Sequence, residues 1–141
     1  MKTRVRTLTV LAVGLAALSV SSPSAAGATL DGSKPLLCAV NTIMECDGTG
    51  QCQRHTASQH PDFPSFLRIN VDTKRITDGT RSGGRTTEIR SASRLDGRLI
   101  LQGGENGRGW SATIAEGTGK MSAGVVADDY TFALFGACTN P

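Results

Sequence analysis

The 141-residue chain carries 15 basic and 12 acidic side chains, with one Trp, one Tyr and four Phe. Three of the basic residues (Lys2, Arg4 and Arg6) lie within the first 28 residues, so residues 29–141 hold 12 basic and 12 acidic side chains and are about neutral. A neutral domain of this size has no bulk field with which to attract nucleic acid or an anionic membrane. We therefore predict neither as a partner.

The N-terminal segment has the three parts of a secretory signal peptide. Its basic residues precede an apolar run of about 13 residues, from Leu8 to Val20, and the small-residue sequence Ala26-Gly27-Ala28 follows. The run is shorter than the roughly 20 apolar residues that a membrane-spanning helix needs. We predict that residues 1–28 are a signal peptide cleaved after Ala28, and that residues 29–141 form one small exported β domain. Its location would be the periplasm in a Gram-negative cell and extracellular otherwise, with no membrane attachment.

Apolar and polar residues alternate with a period of two through most of residues 29–141. Leu99 and Leu101, for example, alternate with Arg98 and Gln102, which is typical of half-buried strands. Glycine-rich turns separate the segments too closely for crossover helices, so the connections are hairpins. The pattern predicts an all-β antiparallel meander of about eight strands at residues 36–46, 65–71, 74–79, 85–94, 97–103, 109–115, 120–127 and 130–138.

Four cysteines, Cys38, Cys46, Cys52 and Cys138, predict two disulfide bonds in an exported domain. A straight strand advances roughly 3.3 Å per residue, which puts Cys38 and Cys46 beyond the roughly 7 Å between Cα atoms that a disulfide allows. Of the two remaining connectivities we favour Cys46–Cys52, across a short turn, together with Cys38–Cys138, between the ends of the domain.

The favoured disulfides constrain the topology of the sheet. Cys38 begins the first predicted strand and Cys138 ends the last, so these two strands must be antiparallel neighbours. In a simple meander this requires an even number of strands, which the eight predicted strands satisfy. We predict a closed up-and-down β-barrel stapled by disulfides, with a β-sandwich as the alternative.

Residues 47–64 are the least regular part of the domain, and we expect a loop or a minor extra hairpin there. Their polar side chains include those of His55, Ser58, His60 and Asp62, and Ser65 follows directly. The histidines could bind zinc together with Cys46 and Cys52, act as a catalytic base beside a serine and a carboxylate, or contact a partner. Because the cysteines are expected in disulfides and no nucleophile motif is present, we predict no metal, no cofactor and no catalytic residue.

Arginines recur through the middle of the domain, at Arg81, Arg85, Arg90, Arg94 and Arg98. Uninterrupted alternation places Arg90 and Arg94 on one strand face with Glu88, opposite Ile89 and Leu95. Such a face could bind an anion, since guanidinium groups pair well with carboxylates and phosphates. We favour a solvated outer surface with cross-strand ion pairs. The glycines of residues 103–109 likewise indicate a hairpin and not a phosphate-binding loop, because no helix follows them.

The first and last predicted strands are apolar on both faces. Alternation puts Val40 and Met44 on one face of the first strand. The opposite faces of the two neighbouring strands then form an outer apolar patch of Leu37, Ile43, Phe135 and Ala137. Such patches are covered by another segment or by a partner. Residues 29–35 are one possible cover and a protein partner is the other.

Four sequence stretches carry a resemblance: FLRINVDTKRI (residues 66–76), RLILQGGENGRGWS (98–111), TGKM (118–121) and FGAC (135–138). On these the chain resembles a group of short exported bacterial proteins of uncharacterised function, a resemblance that implies no activity. The inferred barrel is also similar in architecture to lipocalin-like and avidin-like barrels and to small periplasmic lysozyme inhibitors. That similarity is one of fold, which does not determine function.

We predict a non-enzymatic, monomeric binding protein for a small ligand inside the barrel or for a protein partner. The small inward residues Ala112 and Ala123 leave space for a ligand, although large neighbours could fill it. One alternative is an inhibitor of an envelope or host hydrolase that presents a loop such as 103–109 or 47–64. A metal-dependent or histidine-based hydrolase is the other. The residues expected at a ligand or partner surface are His55, His60, Arg90, Arg94, Arg108, Trp110 and Phe135.

Overall fold

The computed structural model describes residues 29–141, and the predicted signal peptide, residues 1–28, lies outside them. The described residues form nine strands and one 3₁₀ turn at Ala57–Gln59. The strands are β1 (Leu36–Asp47), β2 (Cys52–His55), β3 (Phe66–Asn70), β4 (Arg75–Asp78), β5 (Thr86–Leu95), β6 (Arg98–Glu105), β7 (Arg108–Ala115), β8 (Lys120–Val126) and β9 (Tyr130–Thr139). Among these residues no helix is long and apolar enough to cross a membrane.

The sheet closes on itself as an eight-stranded barrel. Strand β1 pairs with β3, the strands β3 to β9 follow in chain order, and β9 pairs antiparallel with β1 along most of its length. This confirms the predicted barrel against the sandwich. Strand β2 is an addition to the barrel, lies in the region expected to be a loop or minor hairpin, and pairs with the second half of β1.

The two ends of the barrel are built differently. We call the end that carries the turns at residues 71–74, 96–97 and 116–119 the base, and the end that carries residues 48–51, 79–85, 106–107 and 127–129 the rim. At the rim, β6 and β7 stay paired up to Glu105 and Arg108, so a tight two-residue turn joins them. Its residues, Asn106 and Gly107, both have positive φ, as such hairpins require. Residues 103–109 are thus a hairpin end and not a projecting loop.

A β-bulge in β1 corrects the predicted outer patch. The register with β9 shifts between Val40 and Thr42, so that Asn41 is an extra residue and the alternation reverses after it. Ile43, predicted on the outer face, points inward and is fully buried, whereas Met44 is on the outer face and half-buried. The prediction was wrong because it assumed uninterrupted alternation. A bulge adds one residue to the strand, so every residue after it changes face, and the apolar pattern of the strand does not reveal this.

A second bulge, in β5, breaks the predicted face of arginines. The register with β6 shifts between Ile89 and Ser91, and Arg90 is the residue left between them. Ile89 is buried as predicted, but Leu95 is 61% exposed. Arg94 is the direct partner of the buried Leu99 and no longer belongs to one regular row with Arg90.

Both favoured disulfides are present, Cys38–Cys138 and Cys46–Cys52. In each, the two cysteines are direct cross-strand partners, so the bonds reinforce pairings that the sheet already makes. Cys38–Cys138 locks the β1–β9 seam that closes the barrel, and Cys46–Cys52 holds β2 against β1. Two such bonds indicate an oxidising environment.

Residues 29–35 pack across the base of the barrel and close it. Leu30 is buried in the core, and its N–H donates to the carbonyl oxygen of Glu116 at 3.1 Å. Arg94 donates two hydrogen bonds, each 2.7 Å, to the buried carboxylate of Glu116, and Asp31 lies 3.8 Å from the same guanidinium. These hydrogen bonds from Arg94 hold the pKa of Glu116 below its usual range and raise the pKa of Arg94. The segment therefore does not cover the outer patch, where Phe135 stays 47% exposed.

Candidate functional site

The rim half of the barrel encloses a cavity of about 130 Å³. Most of its wall is apolar and comes from inward positions on five strands: Leu67, Ile69, Ile76, Trp110, Ala112, Met121, Ala123, Val125 and Leu134. Phe63 and Pro64 complete the wall from the segment that follows β2. A mostly apolar concave site with polar groups at its mouth is the usual form of a small-molecule site.

The cavity exists because two small residues face each other across β7 and β8. Ala112 and Ala123 are direct cross-strand partners, and both line the space. Towards the base the inward positions are occupied by larger side chains, such as Leu99 and Ile114, which are almost completely buried. Two alanines at one level leave a space that leucines would fill.

Trp110 is held against the cavity wall and does not fill the space. It is the cross-strand partner of Gly103, and a Cβ at Gly103 would collide with the indole ring and with the carbonyl of Glu88. The indole N–H donates to the hydroxyl of Thr87 on β5 at 3.1 Å. The glycine thus lets the ring lie flat across β6, and the hydrogen bond fixes it there.

Residues 56–65, which we call the strap, close part of the rim. His60 in the strap is 8% exposed, and its ring packs against Phe63 and against Phe132 of β9, with centroids 5.1 and 5.3 Å away. Arg85, in the β4–β5 loop, donates a hydrogen bond of 3.0 Å to the carbonyl oxygen of Asp62 in the strap. The Asp62 carboxylate lies 4.0 Å from the same guanidinium. The strap is therefore an ordered wall of the cavity.

The two histidines converge on one carboxylate at the start of the strap. His55 on β2 and His60 have their Nε2 atoms 3.4 and 3.5 Å from the same oxygen of Glu45 on β1. The Nδ1 atom of His60 accepts a hydrogen bond from the N–H of Asp62 at 3.2 Å. The hydrogen bond at Nδ1 and the approach of Nε2 to Glu45 fix the orientation of the ring, and through it the path of the strap.

His55, His60, Cys46 and Cys52 do not assemble into one set of metal ligands. A metal ligand needs a free lone pair on the coordinating nitrogen, and the Nδ1 of His60 already accepts the N–H of Asp62. Cys46 and Cys52, the other ligands considered, are joined to each other. In residues 29–141 no group of three or more His, Cys, Asp or Glu side chains is arranged to hold a metal.

Ser58 and Asp62, two of the residues named for catalysis, have side-chain partners other than the histidines. The hydroxyl of Ser58 is hydrogen bonded to that of Thr56, 3.0 Å away. The Asp62 carboxylate faces Arg85, and its backbone N–H is the group that contacts His60. The histidines also lie outside the cavity wall, behind Phe63 and Phe132. They are placed to fix the strap and not to reach a molecule in the cavity.

Charged residues surround the mouth of the cavity. Arg85 is engaged with Asp62, as described above. Asp78 accepts hydrogen bonds from the hydroxyl and the N–H of Thr80, which hold its pKa below the usual range. The guanidinium of Arg108 lies over the ring of Tyr130, 5.7 Å from its centroid. Glu105, the cross-strand partner of Arg108, also reaches the mouth.

The residues predicted for a ligand or partner surface do not form one site. Trp110 and Arg108 line the cavity, and His55 and His60 anchor the strap. Arg94 is engaged with Glu116 of the β7–β8 turn at the base, so its ion pair joins a strand to a turn. Arg90 is exposed at the β5 bulge, and Phe135 is exposed on the outer face.

Several residues of the site carried no signal that sequence reasoning used. Thr87 and Glu105 reach the mouth because of barrel curvature and strand register, which sequence patterns do not encode. Arg85 belongs to the run of arginines in the sequence, but nothing there placed it beside Asp62. The pairing of Gly103 with Trp110 was the one available hint, since a glycine opposite a large aromatic residue often makes room for its ring.

No protein-family model matches the chain, and comparisons with curated proteins and with solved structures find no significant match. The resemblance to short exported bacterial proteins thus stays a prediction.

Proposed function

We propose that this protein is an exported β-barrel that binds a small, mainly apolar ligand inside its rim half. The proposal rests on the apolar cavity that Ala112, Ala123 and Trp110 line. Export is supported by the signal-like N-terminal sequence and by two disulfides, which persist in oxidising compartments.

The size of the cavity limits the ligand. An apolar cavity of about 150 Å³ in a protein core holds benzene. The space of about 130 Å³ here therefore suits one aromatic ring or a short branched hydrocarbon group. Because the cavity opens at the rim, a larger ligand can place its remainder outside the barrel.

A binding role fits the chemistry of the wall better than a catalytic one. The groups that line the interior are mostly apolar side chains, and the one indole N–H is already donated to Thr87. Transfer of an apolar ring from water to such a wall is favourable through burial of apolar area. A general base would have to face the ligand, and neither histidine lines the cavity.

The proposal is tested by titrating the protein with toluene while recording the emission of Trp110, the single tryptophan of the chain. We expect a saturable change in emission. Ala123→Leu fills the cavity and should abolish the change, whereas Ala133→Leu on the outer face of β9 is the matched control and should keep it.

The stability of Ala123→Leu provides a second measurement. A leucine that fills an existing space leaves the free energy of unfolding unchanged or raises it, while overpacking costs about 1 to 3 kcal/mol. A destabilised Ala123→Leu, together with no saturable response in the unmodified protein, would refute the proposal.

A further inference from the structure

We infer that the ligand carries an anionic group, a carboxylate or its equivalent, which is recognised by Arg108 at the mouth of the cavity. This inference rests on the proposed function and specifies the chemical class of its ligand. The ring or hydrocarbon part of the ligand would occupy the cavity, and the charged group would stay at the rim.

Arg108 is positioned for this contact by its place in β7. It lies two residues before Trp110, so both side chains are on the inner face of the strand and both line the cavity. Its guanidinium reaches past the end of β8 to the ring of Tyr130 on β9. Tyr130 packs on Phe132, a core residue, at 5.1 Å between centroids. The positive charge is thereby held over the inner side of the rim.

Three other polar groups of the mouth have partners within the protein. Arg85 is bound to Asp62, the indole N–H of Trp110 to Thr87, and Asp78 to Thr80. Among residues 29–141, no carboxylate lies within the 4.0 Å that defines an ion pair with Arg108. Its guanidinium presents a planar fork of donors, which matches the two oxygens of a carboxylate.

Glu105 is the other charged group of the mouth without an ion pair among the described residues. It is the cross-strand partner of Arg108 at the end of the β6–β7 hairpin. Arg108 packs over the ring of Tyr130, and no such contact positions the side chain of Glu105. For an anionic ligand, Glu105 is a repulsive neighbour. Substitutions at the two positions should therefore change affinity in opposite directions.

Three probes of equal ring size separate the possibilities: benzoate, benzyl alcohol and benzylamine. Binding is followed by Trp110 emission at neutral pH. We expect benzoate to bind about tenfold more tightly than benzyl alcohol, and benzylamine to bind most weakly. Arg108→Gln should weaken benzoate binding about tenfold and leave benzyl alcohol unchanged, with Arg108→Lys in between. Glu105→Gln should strengthen benzoate binding, and Arg90→Gln, at a position that does not line the cavity, is the control.

Two results would overturn the inference. One is benzylamine or benzyl alcohol binding at least as tightly as benzoate. The other is an equal loss for all three probes in Arg108→Gln, which would make Arg108 a structural residue. Either result leaves the apolar cavity as a binding site. If none of the probes binds and toluene does not bind either, the proposed function itself fails.

Discussion

Cys38 and Cys138 are direct cross-strand partners in the β1–β9 ladder, with their Cα atoms 3.9 Å apart. They are separated by 100 residues of sequence and lie at the seam that closes the barrel. Cys46 and Cys52 are also direct partners, but a separation of six residues makes their bond a local one. The two bonds should therefore contribute unequally to stability.

The first prediction compares these two disulfides. Replacement of Cys38 and Cys138 by alanine should lower the free energy of unfolding by roughly 4 to 5 kcal/mol, as the loop-entropy relation gives for a 100-residue loop. Replacement of Cys46 and Cys52 by serine should lower it by about 2 kcal/mol. Urea unfolding of both variants measures the difference. Equal losses, or a greater loss for the shorter loop, would contradict this view of the seam.

The bulge at Asn41 leads to the second prediction. Ile43 is fully buried, so Ile43→Ala should cost about 3 kcal/mol of stability, within the range seen for such truncations. Met44→Ala is the neighbouring control and should cost about 1 kcal/mol or less, because Met44 lies on the outer face. Denaturant midpoints of the two variants give the comparison. The reverse order would mean that β1 has no bulge.

The third prediction concerns acid stability at the base. Arg94 lowers the pKa of Glu116 in the folded protein, so the ionised pair stabilises the fold at pH values above the range in which an unfolded glutamate titrates. This contribution is lost as the pH falls through the lowered pKa of the folded state. Glu116→Gln lacks the contribution and should be less stable than the unmodified protein at neutral pH.

The two unfolding free energies should converge on acidification from about pH 7 to about pH 3, measured in urea at each pH. Glu88→Gln is the control, because Glu88 is exposed and has no ion pair among the described residues. A difference between Glu116→Gln and the unmodified protein that stayed constant over this range would show that the charge of Glu116 does not matter.

The fourth prediction tests the packing of the Trp110 indole ring against Gly103. Gly103→Ala should displace the indole ring, shift its emission to longer wavelength and cost about 1 to 3 kcal/mol of stability through overpacking. Gly124→Ala is the control, because a Cβ at Gly124 meets no atom within 4 Å. Emission spectra and urea unfolding of both variants decide the matter. An unchanged emission spectrum in Gly103→Ala would show that the indole ring does not pack against residue 103.

The architecture could be predicted from the sequence because it depends on signals that are local and repeated. Alternation such as that of Leu99 and Leu101 identified the strands, and the positions of Cys38 and Cys138 implied a closed barrel. The bulges at Asn41 and Arg90 could not be predicted, since each is one extra residue whose effect appears only in the register with the next strand. The bulge in β1 moved Ile43 to the inner face, and the bulge in β5 broke the regular row predicted for Arg90 and Arg94.

The candidate site was predicted less well, for a related reason. Ala112 and Ala123 were identified as small inward residues, but their direct opposition, which creates the space, depends on the β7–β8 register. The hydrogen bond from Arg85 to Asp62 joins residues from two irregular segments, for which the sequence holds no periodic signal. The position of Arg108 over Tyr130 likewise depends on barrel curvature.

A crystal of the unliganded protein pressurised with xenon tests the central claim most directly, since xenon enters apolar cavities that water leaves empty. We predict one xenon atom in the rim half of the barrel, in contact with Ala112, Met121 and Leu134. Ordered water molecules in that space, or side chains that fill it, would contradict the account.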